Sequence, residues 1–599
     1  MLRFRSSMSL TTDSLTAFSA NANLLASNGA SPAITVPLVQ GMGFVTAIYN
    51  GVTPFIDSSI FFRTISPLPS PKTGVTKYKL LLEDGKTWLL YATATNGTGL
   101  ALTPTSSSRL SAAGPFTGTI QVAKNPGDVA TQEASYDSAA GSYPTSASIS
   151  GSVDGVSGSY TLSWTKAGNG SPVIMNALPH HIQSMDATTS AGKTGIQLQS
   201  TTHGTMTGVI GDSWTMVEPD IPANMTFAPW IAADGSTAAI PASAVAQINA
   251  AGTSELAQDM NAQSNLNSMY YSGKALSKFA TAIYAIHDLT GDTALASSGL
   301  DKLKTAYAVF ANNKQQYPLV YESAWGGVVS SAAYVTGNAG DDFGNSYYND
   351  HHFHWSYFVH AAAIIGYLDP TWIPANKDWV NTLVRDAGNP IADDQYFPFS
   401  RSFDWFHGHS WAKGLFDSAD GKDQESTSED ALFAYAMKMW GKTSGDANME
   451  ARGNLMLAVM KRSLSNYFLL ESTNTNQPAN FIGNKVTGIL FENKVDHVTY
   501  FGANPEYIQG IHMLPIVPSS AYLRNQNFVA EEWKTYFDNG RVDQVAGGWR
   551  GVLYSNLALI DAKASYGWFS GSSFDPQYLD GGASLTWSLA MAAGLGGAN

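Results

Sequence analysis

The sequence of 599 residues contains no cysteine, and charged residues are scarce at 13%. The first absence excludes disulfide bonds, thiolate catalysis and zinc fingers. The charged fraction lies well below the roughly one quarter that is typical of soluble proteins. The polar surface must therefore be built mainly from Ser, Thr, Asn, Gln and Gly. Such a composition suits an extracellular protein that handles neutral polymers, so we expect a secreted protein.

The sequence also lacks basic runs and long apolar runs. Its formal net charge is −14 and its pI is about 5.2, so neither nucleic acid nor an anionic membrane is an expected partner. The longest apolar stretch, around Ala361–Leu368, is too short to span a bilayer. The N-terminal stretch to about Ala30 carries Arg3 and Arg5 but no apolar core of a standard signal peptide.

The first third of the chain has the pattern of short strands. From about Ile34 to Val217, alternating segments such as Lys77–Leu82 and Thr87–Ala92 are separated by Gly, Asn and Asp turn residues. Many short strands with frequent turns are typical of a β-sandwich. We interpret the Ser-, Gly- and Thr-rich stretch 130–158 as further strands with polar outer faces, rather than as a linker.

Helical patterns dominate the rest of the chain, from about Ser254 onward. A region with little periodicity, marked by three prolines after Pro219, precedes them. Apolar residues then recur at three- and four-residue steps. Clear examples are Leu276, Phe279, Ile283 and Ile286, and the stretches Val380–Arg385, Ala431–Trp440, Leu455–Phe468, Phe528–Phe537 and Trp549–Leu559. Successive amphipathic helices indicate either stacked helical hairpins or a closed (α/α) toroid.

Two nearby regions concentrate carboxylates, imidazoles and indoles. The first is Tyr347–Trp355, and the second comprises Phe403–Trp411 and Gln424–Glu429. Six of the 12 His fall between His351 and His409, and six of the 15 Trp fall between Trp325 and Trp411. Ordinary cores avoid His and carboxylates unless each is paired. Sugar-cleaving clefts need carboxylates for acid–base chemistry and aromatic faces for pyranose rings. The combination indicates a glycoside hydrolase.

Three carboxylates in these regions have two interpretations each. Asp350 precedes a predicted helix and is either a capping residue or a general acid with a raised pKa. Glu425 and Glu429 are four residues apart, so in a helix they would share a face and repel each other. Alternatively, Ser426 and Glu429 form a capping box in which Glu429 reaches back to the start of the helix.

The histidines and serines suggest no other chemistry. His351, His352, His354, His407 and His409 could supply imidazole ligands to a metal, but residues two apart diverge in a helix, so we expect no metal and favour histidines that line a sugar groove. No nucleophile elbow, phosphate loop or dinucleotide fingerprint is present.

The motifs resemble those of glycoside hydrolase family 81, the endo-β-1,3-glucanases. The resemblance runs from about Val36 to the C-terminus. One departure is Glu322, where the family often carries Asp. The matching segments are Ala177–His181, Trp325–Gly327, Gly344–His354, Arg401–Ala412, Asp420–Glu429 and Asn504–Tyr507.

The resemblance implies an N-terminal β-sandwich, a small connecting domain and a C-terminal (α/α)6 barrel. We expect an N-terminal extension at 1–30, the β-sandwich at 31–225, the connecting domain at 226–270 and the barrel at 271–599. It also implies hydrolysis of internal β-1,3-glucosidic bonds with inversion at the anomeric carbon. No cofactor or metal is expected, the expected partner is a β-1,3-glucan, and we expect a monomer.

By motif match, Asp350 is the proton donor, and Glu425 and Glu429 are the two essential glutamates. We favour Glu429 as the general base, with Glu425 assisting it or binding substrate. Four aromatic residues could stack on the glucan, wall the cleft or belong to the core: Tyr348, Trp355, Trp405 and Trp411. His352, His409 and Asp404 could hydrogen-bond sugar hydroxyls or orient the carboxylates. His354 and Glu506 are further candidates for substrate binding. Two alternatives are a polysaccharide lyase that uses Tyr348 and His352, and a glucan-binding protein without catalysis.

Overall fold

The computed structural model describes residues 8–599. The chain divides into two compact units. The first consists of the chain up to Ser152, Ser159–Ser200 and Gly204–Val217, and the second of Val153–Gly158, Thr201–His203 and Glu218–Asn599. Most of the first unit is β-sheet and most of the second is α-helix. A β plus α architecture, as expected from the sequence, is therefore confirmed.

The N-terminal region contains seventeen strands among the described residues. They are β1 Ser9–Asp13, β2 Ser19–Leu25, β3 Pro32–Val39, β4 Val45–Val52, β5 Phe55–Asp57, β6 Phe62–Leu68, β7 Val75–Leu82, β8 Thr87–Ala94, β9 Leu102–Ser106, β10 Arg109–Ala112, β11 Phe116–Asn125, β12 Ser142–Asp154, β13 Ser157–Gly168, β14 Ile174–Ala177, β15 Lys193–Gln199, β16 Thr205–Ile210 and β17 Ser213–Glu218.

An eight-stranded antiparallel sheet forms the largest part of the first unit. Its strand order is β1-β2-β3-β4-β11-β8-β7-β6, and three-stranded sheets with the orders β5-β10-β9, β12-β13-β17 and β14-β16-β15 accompany it. Alternate side chains of β7, β8 and β11, among them Tyr78, Leu80, Leu90 and Ile120, form one apolar core. The period-two pattern of these strands explains this burial, since alternate residues face the same side.

Helices dominate the remainder of the chain. Those of the first unit are α1 Ala130–Ala139, α2 Pro179–Ser184 and α3 Ala187–Ser190. Those of the second are α4 Ala242–Leu256, α5 Met260–Ser264, α6 Met269–Tyr284, α7 Thr293–Ala311, α8 Ala332–Thr336, α9 His351–Leu368, α10 Ile373–Gly388, α11 Thr427–Ser444, α12 Ala447–Tyr467, α13 Pro505–Gly510, α14 Ser520–Leu523, α15 Gln526–Tyr536, α16 Gly548–Leu557, α17 Ala562–Phe569 and α18 Leu585–Gly594.

Helix α9 lies at the centre of the packing in the second unit. It contacts α6, α10 and α11, and α11 also packs on α12. Residues 351–366 of α9 are all buried, as expected of a helix that is surrounded on every side. The last helix, α18, packs on α4 and α6. Short strands connect the helices: β18 Leu319–Glu322, β19 Gly327–Ser330, β20 Phe403–Asp404, β21 His409–Ser410, β22 Asp423–Gln424, β23 Ile489–Phe491 and β24 Val495–Asp496.

Several local predictions need correction. The stretch 130–158, predicted as strands, begins with helix α1. The region between Pro219 and about Ser254, predicted to have little periodicity, contains most of α4. Within the expected extension at 1–30, the described part contributes β1 and β2 to the large sheet; residues 1–7 lie outside the described residues. The domain boundaries stay a prediction.

Between residues 8 and 599, no helix is both long and apolar enough to cross a membrane.

Candidate active site

Backbone hydrogen bonds join the segments that carry the three candidate carboxylates. The amide of Asp350 donates to the carbonyl of Ala412 (2.9 Å), and the amide of Ala412 donates to the carbonyl of Asp423 (2.7 Å). Asp423 belongs to β22, and α11 begins four residues later. The segment around Ala412 therefore connects the start of α9, at Asp350, to the start of α11, with Glu425 and Glu429.

Asp350 has a strained backbone. Its φ is 60° and its ψ is 18°, in the left-handed region, which costs a residue other than glycine on the order of 1–3 kcal/mol. The helix predicted after Asp350 is confirmed, but its side chain makes no capping hydrogen bond. The segment after Ala412 packs closely against the turn before Asp350, because a Cβ at Gly414 would lie 2.0 Å from the carbonyl oxygen of Tyr347.

The surroundings of Asp350 favour its protonated form. Burial raises the pKa of Asp350 well above its usual range, and the negative charges of Glu425, Asp423, Glu429 and Asp342 raise that pKa further. A carboxylic acid that keeps its proton near neutral pH can act as a general acid. The environment thus fits the proton-donor role that the family resemblance implies for Asp350.

Glu429 is buried and held by groups from two other helices. Its Oε1 accepts hydrogen bonds from the hydroxyls of Tyr270 (2.8 Å) and Tyr357 (2.7 Å). Burial raises the pKa of Glu429, whereas nearby Lys274 and the two tyrosine hydroxyls hold it down. Ser426 caps α11 by accepting from the amide of Glu429. The second half of the predicted capping box is wrong, because the Glu429 carboxylate faces the tyrosines.

Glu425 has no such stabilisation. Burial raises its pKa, and the charges of Glu429 and Asp423 raise it further. Its Oε2 is buried and has no hydrogen-bond partner. Asp423, a buried carboxylate, has one oxygen without a partner and accepts a hydrogen bond from the Tyr500 hydroxyl on the other. Four carboxylates therefore share one neighbourhood, and not all of them can be ionised at modest cost.

A buried lysine, Lys274, lies near Glu429. Lys274 forms an ion pair with Asp580, with 2.9 Å between Nζ and Oδ2, and its Nζ lies 5.2 Å from the centre of the Tyr270 ring. A cavity with about 60 Å³ of room for water-sized molecules is lined by Lys274, Tyr357 and Asp580 among others. Space large enough for solvent therefore borders the groups that hold Glu429.

Two predicted glucan-binding residues of α9 lie inside the protein. Trp355 is fully buried and donates from its indole to Asp386. His354 is also buried, with its Nδ1 2.8 Å from the side-chain nitrogen of Asn345, and burial lowers its pKa to about 4. Both side chains support the start of α9 from within, and neither presents a face on which a sugar could stack.

His352 lies in the interior as well. Its Nε2 is 3.3 Å from the side-chain nitrogen of Gln424, which precedes Glu425. Burial lowers the pKa of His352 well below its usual value, so the ring is neutral. A neutral Nε2 that accepts from the Gln424 amide helps to fix the start of the segment that carries Glu425.

The predicted residues of the second region form a buried cluster. Asp404 accepts hydrogen bonds from His407 (2.7 Å) and from the indole of Trp411 (3.1 Å). The pKa of Asp404 is lowered far below its usual range; burial opposes this shift, and the charge and hydrogen bond of His407 dominate it. Trp405 packs edge-on against Phe403. Trp405 and Trp411 are almost completely buried, so they belong to the core.

His409 forms a chain of hydrogen bonds whose proton positions can be assigned. Its Nδ1 faces the carbonyl of Ser410 (2.9 Å) and must donate. Its Nε2, 2.9 Å from Nε2 of His203, must then accept, and Nδ1 of His203 accepts from the Thr202 hydroxyl. Burial lowers the pKa of His409 to about 3. This fully buried histidine positions β21 and has no free donor for a sugar hydroxyl.

Tyr348 and Glu506 lie in other environments. Tyr348 is buried, its hydroxyl donates to Glu322 (3.1 Å) and the Arg401 guanidinium stacks on its ring at 4.1 Å. Glu506 is half-buried at the start of α13 and accepts from Asn504. Among the predicted glucan-binding residues, Glu506 is thus the one with appreciable exposed surface. Direct contact of Tyr348 or Glu506 with a glucan stays a prediction.

Sequence patterns alone did not identify Tyr270, Lys274, Tyr357, Asp423 and Asp386. Two signals could have indicated the first three. Tyr357 lies seven residues after Asp350, which is two helical turns and the same face. Tyr270 and Lys274 are four apart on a helix most of whose residues are apolar or small, so a lysine there is a candidate for burial beside a partner. In the described part of the chain, no three His, Asp or Glu side chains are grouped to hold a metal.

Comparisons with known proteins agree with this arrangement. Residues 2–232 match the model of the glycosyl hydrolase family 81 N-terminal domain, and residues 239–589 match that of the C-terminal domain. A solved structure of a glycoside hydrolase family 81 protein from Clostridium thermocellum aligns with a TM-score of 0.78 at 20% identity, covering 99% of this chain and 80% of that one. At 20% identity, the similarity to this solved structure shows that the two proteins share a fold.

Two curated relatives are closer in sequence. A glucan endo-1,3-beta-D-glucosidase of Arthroderma benhamiae is 56% identical over 96% of this chain, which spans 64% of that protein. Glucan endo-1,3-beta-D-glucosidase 2 of Saccharomyces cerevisiae is 41% identical over 95% of this chain and 73% of its own length. The chain is thus shorter than these relatives. From its matches over both halves, the chain belongs to glycoside hydrolase family 81.

Proposed function

We propose that the protein hydrolyses internal β-1,3-glucosidic bonds of β-1,3-glucans with inversion of the anomeric carbon. The observation that carries the proposal is the group of carboxylates at the starts of α9 and α11, in which burial and like charges hold Asp350 protonated. The names of the relatives, which are glucan endo-1,3-beta-D-glucosidases, support this substrate. No cofactor takes part in the proposed reaction.

In the proposed reaction, the carboxyl of Asp350 gives its proton to the glycosidic oxygen while the bond between that oxygen and the anomeric carbon breaks. A water molecule attacks the anomeric carbon from the opposite face and loses a proton to Glu429. One water is consumed, and proton exchange with solvent restores Asp350 and Glu429. Inversion is the expected outcome when the base acts on water and forms no bond to the sugar.

The surroundings of the two glutamates support Glu429 as the base. A base must be ionised, and hydrogen bonds and cations favour the ionised form. Glu429 has two tyrosine donors and a nearby lysine. Glu425 has a buried oxygen without a partner and a pKa raised by burial. We therefore propose that Glu425 keeps a proton in the free enzyme and donates a hydrogen bond to a sugar hydroxyl or to the attacking water.

Proton NMR of laminarin hydrolysis from the earliest time points tests this mechanism. We expect new reducing ends to appear first as α-anomers. Asp350→Asn and Glu429→Gln should each lower kcat by about 10²-fold or more, as the loss of a general acid or base does. Added azide should restore turnover of Glu429→Gln and yield an α-glucosyl azide, because the small anion replaces the activated water.

Other outcomes would identify different chemistry. Azide rescue of Glu425→Gln instead of Glu429→Gln would make Glu425 the base. New β-anomers would overturn the inverting mechanism. Glucan binding without turnover of any β-1,3-glucan would support the binding-protein alternative, and products that absorb in the ultraviolet, formed from a uronate polymer, would support the lyase.

The finer architecture belongs to the same proposal. We infer an N-terminal β-sandwich from the several antiparallel sheets of the first unit and an (α/α)6 barrel in the second. Contacts of α18 with α4 and α6 support a closed ring of helices. We also propose that the protein is secreted, on the basis of the low charged fraction, and that it is a monomer. Fractionation of the source culture and light scattering, with an expected mass of 63.8 kDa, test these two points.

A further inference from the structure

Three large aromatic side chains are exposed on one surface of the second unit. Tyr321 is 45% exposed, and Trp325 and Tyr396 are each 59% exposed. Tyr321 and Tyr396 are neighbours, with 6.3 Å between ring centres and a hydrogen bond of 2.7 Å from the Tyr321 hydroxyl to the Tyr396 carbonyl. Exposed aromatic residues grouped in this way usually mark a binding surface. We call these three residues the hairpin platform.

Hydrogen bonds fix the backbone of the turn that carries Trp325. It connects β18 to β19, which pair antiparallel. The Glu322 carboxylate accepts from the amides of Ala324 (2.7 Å) and Trp325 (2.9 Å). The Arg401 guanidinium donates to the carbonyl of Gly326. The backbone of Trp325 is thus fixed while its side chain faces solvent, an arrangement that lowers the entropic cost of binding.

The hairpin platform is connected directly to the segment that carries Asp350. Tyr348, two residues before Asp350, donates its hydroxyl to Glu322. Its ring also packs against the hairpin, because a Cβ at Gly327 would lie 2.6 Å from a ring carbon of Tyr348. Arg401 lies over the same ring. The hairpin therefore lies next to the turn that precedes Asp350.

The local charges favour a neutral ligand. Arg385, which lies near the Tyr396 ring, is paired with Asp394 at 2.5 Å, and the Glu322 carboxylate is occupied by two amides and a hydroxyl. The two charged groups that lie next to these aromatic residues, Arg385 and Glu322, are therefore both paired within the protein. Aromatic faces pack well against the C–H groups of a pyranose ring.

We propose that the hairpin platform binds glucosyl units of a β-1,3-glucan chain that extends beyond the bond cleaved at Asp350. The inference rests on the proposed function and adds to it a subsite that involves Tyr321, Trp325 and Tyr396. Trp325 is its central residue, because its exposed indole offers the largest aromatic face. Longer oligosaccharides gain contacts there that the shortest substrates lack.

Calorimetric titration with laminarihexaose tests the subsite without turnover. Asp350→Asn serves as the background, and Trp325→Ala is added to it. We expect Kd to rise about three- to tenfold, the order of a single aromatic contact, and Trp325→Phe to recover most of the affinity. In the active enzyme, Trp325→Ala should raise KM for laminarin by a similar factor, with a larger loss of kcat/KM for laminarihexaose than for laminaritriose.

Tyr367→Ala is the matched control. Tyr367 is about half exposed and lies near the end of α9, about 24 Å along the helix from His351 at a rise of about 1.5 Å per residue. This variant should bind laminarihexaose as the background does. If Asp350→Asn binds laminarihexaose and the added Trp325→Ala leaves its Kd unchanged, the subsite is overturned but the proposed function is not. Absence of both laminarin cleavage and hexaose binding in the unmodified protein would overturn the proposed function and the subsite with it.

Discussion

At the scale of single residues, the function of Asp350 depends on a neighbour that does no chemistry. Asp423 is buried, and its negative charge is among the causes that raise the pKa of Asp350. The alkaline limb of a plot of kcat/KM against pH reports the pKa of the general acid in the free enzyme. Asp423→Asn removes the charge, so the pKa of Asp350 falls and the alkaline limb should move to lower pH.

Asp420→Asn is the control for this prediction. Asp420 lies in the same segment, but its carboxylate pairs with Lys494 (3.0 Å) and is not among the charges that act on Asp350. Its replacement should leave the alkaline limb where it is. An alkaline limb that Asp423→Asn does not move, in a variant with unchanged thermal stability, would mean that another group controls this limb.

The sequence predicted which carboxylates meet, but it did not predict what holds them. Asp350, Glu425 and Glu429 came from motif matches, and the cap at Ser426 followed from local spacing. The partners of Glu429 did not, because Tyr270 and Tyr357 are 159 and 72 residues away along the chain. Local patterns can mark Tyr270 and Tyr357 as candidates, but they do not show that both contact Glu429. Likewise, the sequence does not tell a tryptophan that stacks on sugar from one that is buried, as Trp355 and Trp411 are.

At the scale of helices, the position of Glu429 depends on how closely α11 packs against its neighbours. Gly453 of α12 faces α11, and a Cβ there would lie 2.7 Å from the backbone nitrogen of Lys438 and 2.8 Å from the carbonyl oxygen of Ala434. A methyl group would force the two helices apart. Gly453→Ala should therefore lower the free energy of unfolding by about 1–3 kcal/mol, measured by urea denaturation.

Gly567→Ala gives the opposite expectation from the same substitution. Gly567 is exposed in α17, and a Cβ added there would have no other atom within 4 Å. Here the change should stabilise the protein by about 0.4–1 kcal/mol, because alanine restricts the unfolded chain. Equal effects of the two substitutions would show that helix propensity, rather than the contact between α11 and α12, decides the stability.

Helices with a clear apolar period were the predictable elements. The patterns around Leu276, Ala431 and Leu455 correspond to α6, α11 and α12. Helix α1 was missed because its Ser- and Thr-rich sequence has hardly any apolar face, with Tyr136 and Ala139 as its buried residues. Its position is determined by packing in the first unit, where Tyr136 belongs to an apolar core. A periodic pattern in the sequence cannot indicate such an element.

For the whole molecule, the division into a β region and an α region could be predicted from the sequence, because the apolar period changes from that of strands to that of helices along the chain. The order of the strands in the sheet could not be predicted. The sheet places β11 between β4 and β8, and this arrangement depends on contacts between segments far apart in sequence. Composition was informative at this scale in another respect. The low charged fraction and the net charge of −14 determine the electrostatic field around the whole molecule, which no single motif describes.

That field leads to a prediction about the substrate. A neutral glucan is not steered by the charge of the protein, whereas a uronate polymer would be repelled by it. Raising NaCl from about 0.01 M to about 0.15 M shortens the Debye length from about 30 Å to about 8 Å. We expect kcat/KM for laminarin to change less than about twofold over this range, since only screened long-range interactions are altered. Initial rates at low laminarin concentration measure it, with dextran-matched viscosity as the control. A severalfold change of kcat/KM with salt would contradict this prediction, because a neutral glucan experiences no long-range electrostatic attraction or repulsion.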